Sequence, residues 1–146
     1  MFFQVDSHLL LSRNIEAQFP NYEKFISLRN DKTATFNSIE LMKTIQRVAV
    51  LSNERSRAVE FNLTEGKAKL SSANPEMGEA SDTMDIQYEG PELKIGFNSQ
   101  YVMEFLSGIT AEETIFDLNT ESTAALMRPK GQDQFDYRYV LMPMRF

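Results

Sequence analysis

Apolar residues along the chain follow two patterns, which together predict its secondary structure. Alternation of apolar and polar residues indicates strands, and apolar residues at every third or fourth position indicate helices. In the first half the predicted strands are 33–36, 58–63, 67–73 and 83–89, with a helix at 38–52 after the first strand. In the second half they are 93–97, 114–118, 124–128 and 137–144, with a helix at 100–109 after the first strand. The order strand, helix, strand, strand, strand is therefore predicted twice.

Residues that favour helix ends flank both predicted helices. Asn37 or Ser38 precedes the first helix. Asn98 or Ser99 precedes the second, and all four side chains suit the N-cap position. Gly108 lies where the second helix is expected to end. The doubled unit predicts an antiparallel α+β domain in which the two helices lie side by side on one face of the sheets.

Residues 1–12 predict a β-hairpin. Phe3 and Val5 lie before an Asp6-Ser7 turn, and Leu9 and Leu11 lie after it at alternating positions. Because a hairpin that begins at residue 2 has no lead-in, we expect Met1 to replace a longer N-terminal portion.

A polar connecting stretch follows the hairpin and contains Pro20. The pattern changes near Asn30, where we place a domain boundary. The sequence thus divides into residues 1–30, with the hairpin and the connection, and residues 31–146, with both halves of the repeated unit.

The first predicted helix has two different faces. At about 100° per residue, Leu41, Ile45 and Val48 form one apolar stripe. Lys43 and Arg47 lie one turn apart on the opposite side. That basic face is either an ordinary solvated surface or a surface that contacts phosphate groups, which bind cations without regard to sequence.

The last predicted strand is apolar on both faces. Its alternating positions are Tyr137, Tyr139, Leu141 and Pro143 on one side and Arg138, Val140, Met142 and Met144 on the other. Pro143 cannot donate a backbone hydrogen bond, so we expect pairing to end there and to leave Met144, Arg145 and Phe146 beyond the strand. The strand is either a buried core strand or the wall of a groove, since flexible methionines suit surfaces that accept varied apolar ligands.

Composition excludes several classes of protein. A net charge of -6 argues against a protein that binds nucleic acid with its whole surface. With no cysteine, the chain can form neither disulfides nor thiolate metal sites. It lacks an apolar run of roughly 18 residues, as a membrane span would need, and the residue order of a signal peptide. These features favour a cytoplasmic protein.

The sequence offers no catalytic constellation. His8 has no serine or cysteine partner nearby in sequence, and nucleophile-elbow, P-loop and dinucleotide-binding motifs are missing. Glu76, Glu79, Asp82 and Asp85 lack the spacing of an EF-hand loop, so we expect an acidic strand edge that faces solvent or a basic partner. We therefore predict no catalytic residue, cofactor or metal.

Five segments, in order along the chain, resemble the C-terminal third of the bacterial DNA polymerase III beta subunit, the sliding clamp. They are "FPNYEKFI", "RVAVLSNERSRAV", "SSANPEMGEA", "IGFNSQYVMEFL" and "YVLMPMRF". The resemblance implies a processivity factor without catalytic activity, in which two three-domain chains close head to tail around duplex DNA. Residues 1–30 would then end the middle clamp domain and residues 31–146 would form the C-terminal one. We expect an excised or truncated piece of such a protein, with excision favoured.

The resemblance also implies roles for individual residues. A groove would bind peptides of the DNA polymerase III alpha subunit, the clamp loader and other proteins with a clamp-binding motif. Its matching positions are Pro20, Lys24, Phe25, Asn98, Tyr101, Thr123, Ala124, Met142, Pro143, Met144 and Arg145. The DNA-facing residues would be Lys43, Arg47 and Arg55, with Arg57 beside them. The interface that closes the homodimeric ring would use Val50, Leu51, Glu76, Glu79 and Asp82.

Two positions depart from the family pattern: Phe146 replaces an expected leucine, and Ser56 stands where some relatives have an aromatic residue. Two other classes of function remain open. A clamp-like binding module would keep the methionine groove without encircling DNA, and it would be insensitive to mutation of Lys43 and Arg47. An enzyme would need a perturbed acid–base pair in a pocket, for which the sequence has no candidate beyond scattered carboxylates.

Overall fold

The described part of the chain contains a hairpin and two copies of one five-element unit. The computed structural model describes residues 1–13, 16–17, 21–23, 30–131 and 136–145. The hairpin consists of β1 (Phe2–Val5) and β2 (His8–Leu11). The first unit is β3 (Lys32–Asn37), α1 (Ser38–Ala49), β4 (Ala58–Thr64), β5 (Lys67–Asn74) and β6 (Gly78–Asp85). The second is β7 (Leu93–Asn98), α2 (Ser99–Ser107), β8 (Glu113–Leu118), β9 (Ala125–Pro129) and β10 (Tyr139–Leu141). The predicted doubled α+β unit is confirmed.

The two units exchange their first strands. One antiparallel sheet has the order β10-β9-β8-β3, and the other has the order β6-β5-β4-β7. Strand β3 of the first unit thus pairs with β8 of the second, and β7 of the second unit pairs with β4 of the first. Because each sheet needs a strand from both units, the two units form one domain with a shared core.

After the last strand of each unit, the chain returns to the first strand of the same unit. Thr35 of β3 exchanges two backbone hydrogen bonds with Gln87, which follows β6, at 2.9 and 3.0 Å. The backbone N–H of Met144, which follows β10, donates to the carbonyl of Gly96 in β7 at 2.8 Å. In each unit, the bridge thus joins the segment after the last strand to the first strand, which lies at the edge of the other sheet.

Four phenylalanines from four strands form the centre of the core. Phe36 of β3 lies with its ring centroid 4.8 Å from that of Phe116 of β8. Phe61 of β4 lies 5.5 Å from Phe97 of β7 in an edge-to-face arrangement. All four side chains are buried, and tilted or edge-to-face rings add attraction to the burial of apolar area. The core therefore holds the two sheets together.

Helix α1 has the two faces that its sequence predicts. Leu41, Ile45 and Val48 are buried against the sheets, whereas Lys43 and Arg47 are exposed. The helices of the described segments are too short or too polar to cross a membrane.

Asparagine side chains begin both helices. Asn37 Oδ1 accepts a hydrogen bond from the backbone N–H of Glu40 at 3.0 Å, and Asn98 Oδ1 accepts one from Gln100 at 2.9 Å. The N-caps are therefore the asparagines and not the serines that follow. Gly108 follows the last residue of α2, as predicted.

Three predicted elements have other boundaries than expected. Strand β10 spans Tyr139–Leu141 and not 137–144. Helix α1 ends at Ala49 instead of 52, because both the backbone N–H and the hydroxyl of Ser52 donate to the Ala49 carbonyl in a tight turn. Strand β6 spans Gly78–Asp85 and not 83–89. Met84, Ile86 and Tyr88 are buried at alternating positions, and this alternation continues where the chain leaves β5 and crosses to β3. Periodicity alone therefore could not locate the end of the strand.

The N-terminal hairpin is present as predicted. Its strands pair from Phe2 opposite Leu11 to Val5 opposite His8, and Asp6 adopts a left-handed turn conformation with φ of 52°. All of its strand residues are exposed, including six apolar side chains on two short strands. The apolar composition of this hairpin is that of a strand pair normally covered by other structure.

Candidate functional site

The C-terminal strand packs one face on the core and exposes the other. Strand β10 pairs with β9 from Tyr139 to Leu141, and pairing ends before Pro143, as predicted. Leu141 is buried, and the Tyr139 ring lies 5.5 Å from the ring of Phe105 in α2. Met142 faces the other way, with 61% of its surface exposed. The strand thus has both properties considered from sequence, a core face and an open methionine face.

Met144 lies beyond strand β10, as predicted, but it pairs with the other sheet, which was not predicted. Pro143 has no N–H with which to continue the β9 ladder, so the chain leaves that sheet. The next residue, Met144, bonds through its backbone to Gly96 at the edge of β7 in the other sheet. The tail therefore spans both sheets, and this fixes its backbone on either side of Pro143.

A cleft of about 420 Å³ runs beside this crossing. Its lining residues are Glu60, Lys94, Ile95, Gly96, Glu121, Ser122, Met144 and Arg145. Two carboxylates and two cations make this cleft polar. It extends the surface on which Met142 is exposed, called the methionine surface below. Sequence reasoning missed Glu60, Lys94, Glu121 and Ser122. Alternation along β4 and β7 could have placed Glu60 and Lys94 on the outward face, but the crossing of the tail over that face had no local signal.

Tyr101 lies on α2 beside the C-terminal strand. Its side chain is 48% exposed. Burial raises the pKa of Tyr139, and the nearby side chains of Glu104, Tyr137 and Tyr101 add to the increase by charge interaction. Tyr101 precedes Phe105 by about one turn of α2, and the ring of Phe105 is the one that contacts Tyr139.

Asn98 has a structural role at the start of α2. Its Oδ1 caps the helix, and its Nδ2 donates to the carbonyl of Ser56 at 3.2 Å. Both ends of the carboxamide thus have partners within the domain. Ser56, the position that departs from the family pattern, belongs to the loop that Asn98 holds.

The remaining groove positions fall into two groups. Thr123 is half-buried in a turn, where its hydroxyl lies 2.6 Å from that of Thr120. Ala124 is buried, and its carbonyl accepts a hydrogen bond from Asn30 at 3.4 Å. Both lie beside Glu121 and Ser122 of the cleft in sequence. The other three predicted positions lie outside the described residues: Pro20, Lys24 and Phe25.

The basic face of α1 is partly neutralised. The guanidinium of Arg47 donates from Nε at 2.8 Å and from Nη2 at 2.5 Å to Oδ2 of Asp82 on β6. The hydrogen bond from Arg47 holds the pKa of Asp82 below its ordinary value, with a further contribution from the backbone N–H of Thr83. Within the described residues, Lys43 forms no ion pair. The structure thus separates two cations that sequence reasoning treated alike.

Arg55 and Arg57 lie in the loop between α1 and β4. Arg55 is exposed, and its backbone N–H donates to Asn53 Oδ1 at 2.9 Å. Arg57 has a left-handed backbone with φ of 49°, and its side chain donates to Gln100 Oε1 at the start of α2. Arg55 is thus open to a ligand, while Arg57 connects the loop to α2.

The predicted ring-interface residues gather at the free edge of β6. Strand β6 is the outer strand of its sheet, and Val50, just after α1, is 71% exposed. Ser72 Oγ of β5 donates to the carbonyl of Val48 at 2.6 Å, which holds the end of α1 against this sheet. A cleft of about 400 Å³ separates the loop after α1 from the β5–β6 turn, and Glu76 and Met77 line it. Met77 was missed from sequence.

The acidic residues of β6 do not gather round a common point. Among the residues that the structure describes, no three histidine or carboxylate side chains are placed to hold a metal ion. Asp82 is instead held by Arg47, and Glu79 extends from the exposed edge.

Comparison with protein families gives a match over most of the domain. The model of the DNA polymerase III beta subunit, C-terminal domain, matches residues 24–145. The Beta sliding clamp of Pseudomonas putida is 35% identical over 134 residues, which are 92% of this chain and 36% of the relative. That of Escherichia coli K12 is 32% identical over 141 residues, which are 97% of this chain and 38% of the relative. The chain thus spans little more than a third of the length of these relatives.

Solved structures of sliding clamps have the same fold as this chain. A DnaN sliding clamp from Bartonella birtlesii, solved bound to griselimycin, superposes with a TM-score of 0.88 at 32% identity over 99% of this chain and 38% of that chain. One from Pseudomonas aeruginosa, also bound to griselimycin, superposes with a TM-score of 0.84 at 34% identity over 90% of this chain and 35% of that chain. With the family model matched along the whole doubled unit, this chain belongs to the DNA polymerase III beta subunit family of sliding clamps and corresponds to its C-terminal domain.

Proposed function

We propose that this chain is the C-terminal part of a cytoplasmic sliding clamp, a non-catalytic processivity factor whose homodimeric ring encircles duplex DNA. Residues 31–146 are the C-terminal clamp domain, and residues 1–30 are the end of the middle domain. The ring tethers DNA polymerase III, the clamp loader and other proteins that have a clamp-binding motif. The observation that supports this most strongly is the C-terminal strand, which exposes Met142 while its backbone is fixed to both sheets.

The methionine surface suits a short peptide that ends in apolar residues. Met142 and Tyr101 present exposed apolar area, and Met144, two residues after Met142, lines a polar cleft, so in this proposal a peptide buries side chains on one part and hydrogen-bonds on the other. The hydrogen bonds of β10 and Met144 already fix the backbone of this wall, which lowers the entropy lost on binding. Pro20, Lys24 and Phe25 also belong to the groove in this proposal.

DNA contact in the proposed ring comes mainly from α1 and is weak. Lys43, Arg47 and Arg55 are exposed, and in this proposal each contacts phosphate without reading sequence. Glu104 occupies the position in α2 that Lys43 occupies in α1, since each lies six residues after the asparagine N-cap of its helix. Two or three phosphate contacts give a log–log salt slope of only about -2 to -3. Such contact permits sliding.

Ring closure uses the β6 edge. A free strand edge can pair with another strand, and exposed Val50 beside Leu51 supplies an apolar centre. Glu76, Glu79 and Asp82 surround it with negative charge, which suits a basic surface on the first domain of a second chain.

The groove is tested by titrating a fluorescent peptide that ends in a Gln-x-x-Leu-Phe motif against this chain. The double variant Met142→Ala, Met144→Ala should lose binding. Met77→Ala removes an exposed methionine at the β5–β6 turn and serves as the matched control, which should bind like the parent. If the double variant binds as tightly as the parent, the groove assignment is wrong. If the parent does not bind, the titration is repeated with the middle domain restored, and failure there refutes the assignment.

A clamp-like binding module that does not encircle DNA is the second candidate. The observation that favours it is the low net charge of the helix surface, where Asp82 engages Arg47 and Glu104 faces outward on α2. In this case Lys43→Ala and Arg47→Ala, placed together in the full-length protein, would leave loading onto DNA unchanged. In a clamp they would reduce it.

A further inference from the structure

One ion pair connects two surfaces that the proposed function assigns to different partners. Arg47 lies on the face of α1 proposed to meet DNA, and Asp82 lies on the strand edge proposed to meet a second chain. Their side chains are joined by two hydrogen bonds to the same carboxylate oxygen. Arg47 also donates to Thr44 Oγ1 at 3.0 Å, so its guanidinium is directed along the helix towards β6.

The pair is open enough to be exchanged. The side chains of Arg47 and Asp82 are 57% and 34% exposed, and ion pairs of this kind are weak because water and salt compete with them. The backbone N–H of Thr83 donates to Asp82 Oδ1 at 2.8 Å, and Oδ2 accepts both hydrogen bonds of Arg47, so a competing cation would have to take Oδ2 to release Arg47. A basic group that reaches the β6 edge would therefore displace Arg47 from Asp82.

Lys43 can be compared with Arg47 as a cation on the same helix that has no ion pair within the described residues. It lies one turn from Arg47 on the same exposed face, yet within the described residues no carboxylate pairs with it. Of these two cations, one is thus available to a phosphate and the other is held back towards the strand edge.

We infer that Asp82 is a positioning residue for DNA contact: it holds Arg47 against β6, and a basic surface docked on the β6 edge takes Asp82 and releases Arg47 to a phosphate. The inference rests on the proposed function and deepens it, because it connects ring closure to DNA contact. Since coupling of two binding events is reciprocal, DNA bound to Arg47 also frees Asp82 for the ring partner. A closed ring therefore contacts DNA more strongly than a separate domain does.

The test measures binding of a fluorescent, mixed-sequence DNA duplex to this chain at low salt, by anisotropy. Asp82→Asn removes the carboxylate charge that holds Arg47. Glu79→Gln is the matched control, because it makes the same charge change on the same strand away from Arg47. Asp82→Asn should tighten binding about two- to five-fold more than Glu79→Gln does, the range that an exposed pair of this strength allows. It should also steepen the log–log salt slope by about 0.9, for one added phosphate contact.

The same substitution is then made in an Arg47→Ala background. There the extra gain from Asp82→Asn should vanish, because no guanidinium remains to be released. Equal gains for Asp82→Asn and Glu79→Gln, or a gain that persists without Arg47, would overturn the inference.

Failure of the inference and failure of the proposed function give different results. Loss of binding in Lys43→Ala with no specific effect at Asp82 refutes the positioning role and leaves the DNA-facing surface intact. Binding that is unchanged in both Lys43→Ala and Arg47→Ala refutes the DNA-facing surface itself. Absence of binding by the parent and by Asp82→Asn at low salt refutes both, while the peptide titration still tests the groove.

Discussion

Replacing Phe116 by alanine should severely destabilise the domain, because this ring joins the two sheets. It is buried, and its centroid lies 4.8 Å from that of Phe36 and 6.3 Å from those of Phe61 and Phe97. A buried Phe→Ala change costs about 3–5 kcal/mol in the free energy of unfolding. Three aromatic contacts, each contributing about 0.5–1.5 kcal/mol, place Phe116→Ala at the upper end of that range.

Urea unfolding followed by circular dichroism measures this loss. A cost of about 4–5 kcal/mol is a large fraction of the roughly 5–15 kcal/mol by which domains are stable, so the midpoint should fall sharply. Phe2→Ala is the matched control, since Phe2 is 73% exposed in the hairpin and its removal should leave the midpoint nearly unchanged. A loss below about 1 kcal/mol for Phe116→Ala would refute the shared core, because no buried aromatic at the centre of two sheets is so cheaply removed.

Three further changes test other parts of the structure. Asn98→Ala removes the cap of α2 and should lower the free energy of unfolding by about 1–2 kcal/mol, measured by urea denaturation. Gly90→Ala would place a methyl group 2.5 Å from Tyr88 Oη, so it should cost about 1–3 kcal/mol in the same assay, whereas a loss near zero would show that the ring moves freely. The pKa of Asp82 is lowered by Arg47, so their pair adds stability above the unfolded pKa and loses it as pH falls through the folded one. When the pH is lowered from about 6 to about 2, the free energy of unfolding of Asp82→Asn should therefore fall slightly less than that of the parent, with a difference under about 1 kcal/mol. An equal fall in both proteins would mean that the pair does not stabilise the fold.

Local signals in the sequence were enough for most of the fold. Asparagine caps at Asn37 and Asn98 and a glycine after α2 mark helix ends within a few residues, and alternation identifies the strands between them. The repeated order of elements then leads to the doubled unit. Each of these signals acts between residues close in sequence. A single sequence is therefore enough to detect them.

Features that depend on distant residues could not be predicted in the same way. Strand β6 ends where the chain leaves one sheet for the other, and Gln87 finds Thr35 only in the folded domain. Met144 bridges to Gly96 for the same reason. The ion pair of Arg47 with Asp82 joins residues 35 positions apart, and neither residue type indicates its partner. The site residues named from the resemblance stay predictions, and the contacts between their surfaces had no local signal in the sequence.

Methionine methyl NMR can show whether the C-terminal strand is the wall of a peptide groove. The chain is labelled at its methionine methyl groups and titrated with the peptide that ends in a Gln-x-x-Leu-Phe motif. We expect shifts in the Met142 and Met144 methyl signals, with the signals of Met77 at the β6 edge and of buried Met127 unchanged. Shifts confined to Met77, or equal small shifts in all of these signals, would contradict this expectation.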